Sequence, residues 1–219
     1  MTLELLESAV QAHGLEIHGA LHPRRTPVTG LDGGTLILLG TAGAFWPVFI
    51  ASAEGRDSDP DPVDRWSSRV IGALAQKFSA TAHFPFTGPP YAPFINWALA
   101  SGRAFTSPSQ MMVHDQVGLM ISFRGALHFD TEFDIPAPRL DRSPCESCSE
   151  KTCLSACPVG AFVDGGPYHQ VACHSYLDSS AGTVCMDRGC QARRACPLSC
   201  GANRDFSQSL HYMRYFHST

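Results

Sequence analysis

The 219 residues carry 44% hydrophobic and 16% charged side chains, with 16 basic against 20 acidic residues and a formal charge of −4. Charged residues are scarcer than the roughly 25% of an average soluble protein, which excludes a polybasic nucleic-acid or membrane-surface binder. The apolar content excludes a largely disordered chain, and the length suits one large or two small domains.

In chain order, Leu3, Leu6, Val10 and His13 stand at helical spacing and Gly14 can close the turn, so residues 2 to 13 are predicted as a helix. The segment from Met1 to Glu7 holds two acids, no base and no small-residue cleavage site, and does not read as a signal peptide. Thr35 to Ala53 runs uncharged for close to the ~20 residues of a membrane span, but Gly40, Gly43 and Pro47 interrupt it. It is predicted instead as a buried strand over 36–39, a glycine turn, and a helix opened at Trp46-Pro47. A polar loop follows from Glu54. Val63, Trp66, Val70, Ile71, Leu74 and Phe78 then mark one face of a helix capped by Asp59 or Asp61.

Residues 81–86 are predicted as a strand, Gly88-Pro-Pro as a turn and 94–103 as a helix. Gln116 to Ala126, rich in Val, Leu, Ile and Phe and marked by Gly118 and Gly125, is predicted as a strand with a close approach at one end. The mixture lacks the regular alternation of a doubly wound sheet, so an α+β domain is expected over 1–133. Pro136, Pro138 and Pro144 give 134–144 the composition of a linker, opening a second domain over 134–219.

All nine cysteines lie in that second part: Cys145, Cys148, Cys153, Cys157, Cys173, Cys185, Cys190, Cys196 and Cys200. A chain whose longer part folds without cysteine is not built like a secreted disulfide scaffold. The expected compartment is a reducing cytoplasm, where clustered thiols point to metal. The first run is Cys145-x2-Cys148-x4-Cys153-x3-Cys157-Pro158, and the second is Cys185-x4-Cys190-x5-Cys196-Pro197. Structural zinc could also consume eight thiolates, though zinc modules more often show paired short knuckles in both halves. His169 and His174 flank Cys173 and are expected to be solvated or hydrogen-bonded rather than ligands. Arg193 and Arg194 could stabilise a reduced cluster or dock a donor, or simply form a solvated face.

The repeated Cys-Pro runs resemble the two-cluster bacterial ferredoxins, whose fourth cysteine crosses to the other cluster. The resemblance implies two 4Fe-4S clusters, one held by Cys145, Cys148, Cys153 and Cys196. The other would take Cys157, Cys185, Cys190 and Cys173, with Cys200 left over and its exchange for Cys196 or Cys173 open. A cysteine-free α+β domain, then Cys-x2-Cys…Cys-Pro, a lone cysteine before Ser-Tyr and a second Cys-Pro run is also similar to epoxyqueuosine reductase and the cobalamin-dependent reductive dehalogenases.

In the first part, Asp61-Pro-Val-Asp-Arg-Trp66 and Met112-Val-His114-x3-Gly118-x4-Phe123-x-Gly125 resemble the CblC-type cobalamin-processing chaperones. Together these resemblances imply a nitroreductase-like sheet-and-helix domain joined to a ferredoxin-like domain. They also imply an oxidoreductase in which the clusters pass single electrons to a corrinoid. That ligand would lie near Tyr91, Phe94, Trp97, Ser107, Ser109, Met111, His114 and Gly118, with His114 as a lower axial ligand. FMN, which the same sheet can hold, is the second choice, since Gly40-Thr-Ala-Gly43 is not a dinucleotide fingerprint. The implied partners are a reductase, flavodoxin or ferredoxin as electron donor, with no nucleic acid and no membrane. A plain ferredoxin-type carrier that docks protein partners is the alternative.

Overall fold

The computed structural model describes residues 2–137 and 142–218. These fall into two compact units that cross in sequence: 1–104 with 122–141, and 105–121 with 142–219. The expected boundary at 133 therefore differs from the observed division, because 105–121 groups with the cysteine-bearing segment. The middle of the expected linker, 138–141, lies outside the described residues.

The first unit opens with α1 (Leu3–Gln11), which buries Leu6 and Val10. Strands β1 (Leu15–Leu21) and β2 (Thr35–Thr41) follow, then the short α2 (Phe45–Ile50) and the long α3 (Pro62–Phe78). β3 (Thr81–His83) and α4 (Phe94–Ala100) complete its first portion. The ribbon strands β4 (Ala104–Thr106) and β5 (Met112–His114) come next, and β6 (Phe123–Phe129) returns to the first unit. The main sheet has the order β1-β2-β6-β3, and each of its pairings is antiparallel.

Every residue of β2 is buried, as expected of a central strand covered on both faces. The α3 stripe of Val63, Trp66, Val70, Ile71 and Leu74 is buried as its spacing predicted. Its aromatic end packs Trp66 edge-on to Phe45, ring centres 5.1 Å apart. Asp61 sits at the N-cap of α3 but in a left-handed conformation and without a side-chain capping bond, so Pro62 at the first turn starts the helix instead. The uncharged stretch 35–53 resolves into β2, a turn and α2, and no helix among the described residues is long and apolar enough to cross a membrane.

Two readings change. β1 was not legible because His18 and Gly19 break its apolar alternation; both are nevertheless packed, and a Cβ on Gly19 would stand 2.8 Å from Ser101 Oγ. The strand expected over 116–126 divides. Gly118 takes φ +54° and bridges back to His114 in a turn, and only the part from Phe123 onward joins the sheet as β6, running on to Phe129.

An ion pair in this unit predicts a pH dependence. Arg69 donates through Nε and Nη2 to the two Glu54 oxygens at 2.5 and 2.8 Å, and this holds the Glu54 carboxyl down at about 2. A depressed carboxyl stabilises the fold above its unfolded value, near 4.5, and that contribution is lost as the pH falls toward 2. With the Arg69 side chain 55% exposed, solvent screening leaves about 1–2 kcal/mol. Denaturant titrations between pH 5 and pH 2 should therefore show a flatter profile for Glu54→Gln than for the parent chain, as far as this pair is concerned.

The second unit after residue 142 consists of short helices, with no strand among its described residues: α5 (Thr152–Ser155), α6 (Gln170–Leu177), α7 (Thr183–Arg188), α8 (Gln191–Ala195) and α9 (Phe206–Phe216). What it shares with two-cluster ferredoxins is cysteine spacing; the described backbone does not show a ferredoxin-like domain.

Candidate metal centre

The nine cysteines are free thiols, and their surroundings divide eight of them into two sets. Cys145, Cys148, Cys153 and Cys196 line one cavity of about 320 Å³, together with Val113, Leu119, Pro144, Pro197 and Leu198. Local chain geometry explains how they meet. Lys151, in the left-handed region at φ 43°, turns the backbone into α5, which buries Cys153. The Thr152 hydroxyl donates to Ala195 O at 2.7 Å and ties α5 to the end of α8, one residue before Cys196. Pro197 then starts a 3-10 turn over Pro197–Ala202 and directs the chain away from the cavity. Val113, Leu119 and Cys153 form a small core against which Phe105, Met111, Cys145, Leu154 and Cys196 pack. Burial raises the Cys145 and Cys153 thiols above their ordinary range, and the neighbouring thiols of the same set add to the shift.

The second set is Cys157, Cys173, Cys185 and Cys190. Cys173 lies on α6 and Cys185 on α7, and both pack with Leu177 and Met213. Cys190 is the N-cap residue of α8. Burial raises the Cys173 thiol, which senses Cys157 and Cys185. It raises Cys190 as well, partly offset by the backbone N–H groups of Arg193 and Ala192 and by the Arg193 charge. The Ala161 N–H donates to Cys157 Sγ at 3.3 Å, and Gln191 Nε2 donates to Cys185 Sγ at 3.5 Å. The Tyr168 phenol is pushed well up from its ordinary value by burial and then by the Cys173 thiol. Cys200 belongs to neither set; it is exposed and donates to Pro197 O at 3.0 Å.

Among the described residues, no group of three or more His, Cys, Asp or Glu side chains is arranged to hold a single metal ion. A cluster asks for a different arrangement, since each iron corner takes one thiolate and the four sulfurs stand around a core rather than on one atom. Four thiols line one apolar cavity of about 320 Å³. Of the flanking histidines, His169 is exposed and His174 is hydrogen-bonded at one ring nitrogen. His174 Nδ1 meets His217 Nδ1 at 2.7 Å, and His217 Nε2 reaches Asp178 at 2.9 Å.

Of the residues expected around a corrinoid, three lie in the first unit and five in the second. In the first unit Tyr91 is 63% exposed, whereas Phe94 and Trp97 are core residues and the Trp97 indole donates to Thr29 O at 3.0 Å. In the second unit Ser107 and Ser109 are buried and share a hydroxyl contact of 2.9 Å, and Met111 packs beside Cys153. His114 is fully buried, and its Nδ1 accepts from the Gln116 and Val117 N–H groups at 3.2 and 3.4 Å. That ring shapes the turn at Gly118.

No family model matches the chain, and no curated protein matches it. Among solved structures it is similar to the B12-trafficking protein CblC of C. elegans, a homologue of human MMACHC, at 12% identity and a TM-score of 0.46, over 99% of this chain and 97% of that one. A likeness at that level transfers no chemistry.

The cysteine-bearing segment was evident from the sequence. What spacing could not supply is the lining from 105–121, whose Val113 and Leu119 complete the first cavity from a distant stretch of sequence. The only available signal was the apolar character of that stretch.

Proposed function

We propose that the chain is a redox protein whose two sets of four cysteines each hold a 4Fe-4S cluster and carry single electrons from a donor protein to an acceptor. The observation that carries this reading is the cavity lined by Cys145, Cys148, Cys153 and Cys196. These are the four thiols that the ferredoxin resemblance allots to one cluster, with the fourth coming from the other run. The donor would be a reductase, flavodoxin or ferredoxin, and the acceptor implied by the sequence resemblances is a corrinoid.

A cubane with four thiolate ligands supplies a one-electron couple. The chain's own residues prepare the two places for it. Val113, Leu119 and Leu198 keep the first cavity apolar, which limits water around the sulfurs and governs potential. The bond from Thr152 to Ala195 fixes the spacing of Cys153 and Cys196. In the second set, Ala161 and Gln191 donate to cysteine sulfur, which favours extra electron density there. Arg193 places a positive charge beside Cys190, so the second set is the better place for added negative charge.

The acceptor is tested separately from the clusters. Cob(II)alamin added to oxygen-free, iron-loaded protein should change its visible spectrum on reduction and show saturable binding. Neither change would remove the corrinoid and leave the electron-carrier reading, with a protein as acceptor.

A further inference from the structure

The end of the second unit carries a group of polar atoms that electron transfer does not use. Arg204, Gln208 and Tyr212 are spaced by four residues along one stripe of α9 and the residues just before it. Arg204 Nε, Gln208 Nε2 and the Tyr212 hydroxyl are all buried and have no hydrogen-bond partner among the described residues. Buried donors left unpaired are destabilising, and three on one stripe call for a partner.

The charge around them has one sign. The Arg204 guanidinium lies over the Tyr212 ring at 5.3 Å and donates through Nη2 to Met120 O at 2.5 Å. Arg193 reaches the adjacent carbonyl, Leu119 O, at 3.3 Å, which brings the two cations to consecutive peptide groups. Neither arginine has a carboxylate partner among the described residues. The nearest acid in sequence, Asp205, is turned onto Ser207, accepting from its N–H at 2.6 Å. Burial, with repulsion from Arg193 as a smaller contribution, pulls the Arg204 guanidinium down to about 10.

We infer that Arg204, Gln208 and Tyr212, backed by the charge of Arg193, form a binding site for a phosphate-type oxyanion. An acceptor-only group with several oxygens can take an N–H from the arginine, an N–H from the amide and the phenolic O–H together, which a carbonyl or a metal ion cannot do. Arg204 and Tyr212 are half-buried while Gln208 is fully buried, so the anion would enter from the arginine and phenol side and rest against the amide. The site shares the Arg193 charge with the surroundings of Cys190 but uses no cysteine and no corrinoid.

The test is calorimetric titration of the iron-loaded chain with inorganic phosphate, with chloride at matched ionic strength as the control. A parallel arm uses methyl phosphate to separate free phosphate from an ester. Saturable binding of either is expected, weakened about tenfold by Tyr212→Phe and by at least that much in Arg204→Met. A purely structural arginine would change the thermal midpoint equally with and without phosphate, whereas the rise in midpoint that phosphate gives the parent should be absent from Arg204→Met. Lack of binding to the parent chain, or equal affinity in Tyr212→Phe, would overturn the site. So would a crystal grown in phosphate that shows only water at the three donors.

Discussion

Replacing Cys153 with serine is expected to remove about half of the iron from protein purified without oxygen, because each cluster carries four irons and loses its seat with one corner. Serine keeps the volume of the side chain, and Cys153 is packed against Val113 and Leu119, so the fold should survive with a cost of about 1–2 kcal/mol for a buried hydroxyl. The remaining paramagnetic signal should be that of the second set. Cys173→Ser should do the converse, and Cys200→Ser, altering an exposed thiol that belongs to neither set, should leave the iron content unchanged. Iron assay and electron paramagnetic resonance on the three variants read this pattern directly. Equal loss in all three would contradict the partition.

The second large effect comes from a residue without a side chain. Gly118 has φ +54°, and a Cβ there would stand 2.6 Å from Ser199 N and 2.8 Å from Leu198 C, both backbone atoms that cannot move aside alone. Leu198 lines the first cavity two residues after Cys196, so the displaced segment is the one that delivers the fourth thiol. Gly118→Ala is expected to cost about 2–3 kcal/mol, combining a left-handed alanine with overpacking. It should also lower the iron held by the first set while sparing the second. A denaturant midpoint together with the iron assay checks both parts, and an unchanged midpoint would show that the 3-10 turn can yield.

These two residues show what was legible in the sequence and what was not. Cys153 stands out in the sequence, because it belongs to a Cys-x2-Cys…Cys-Pro run of the kind that points to metal. Gly118 reads as part of an apolar strand, and nothing local says that it will turn left-handed and support the cysteine segment from 80 residues away, where Ser199 Oγ accepts from the Leu119 N–H. Strongly periodic elements such as α3 were readable because one buried stripe determines them. β1 was not, since a strand paired to a fully buried neighbour can hold His18 and Gly19 and still pack.

The aromatic residues show the same dependence on packing. Phe94 and Trp97 beside a Pro-rich turn look like the wall of a flat ligand's site, but the sheet needed them as core, and the Trp97 indole found Thr29. His114 likewise looked available as a ligand, while its ring nitrogen is the acceptor that organises a turn. Residue type indicates what a side chain can do, and packing decides which of those uses it has.

The central claim is that two groups of four thiols hold iron and sulfide. Its most direct measurement is the quantitation of iron, zinc and acid-labile sulfide in the intact chain purified under argon. The account predicts about eight irons and eight sulfides per chain. Zinc without sulfide, or the same thiols joined as disulfides, would contradict it.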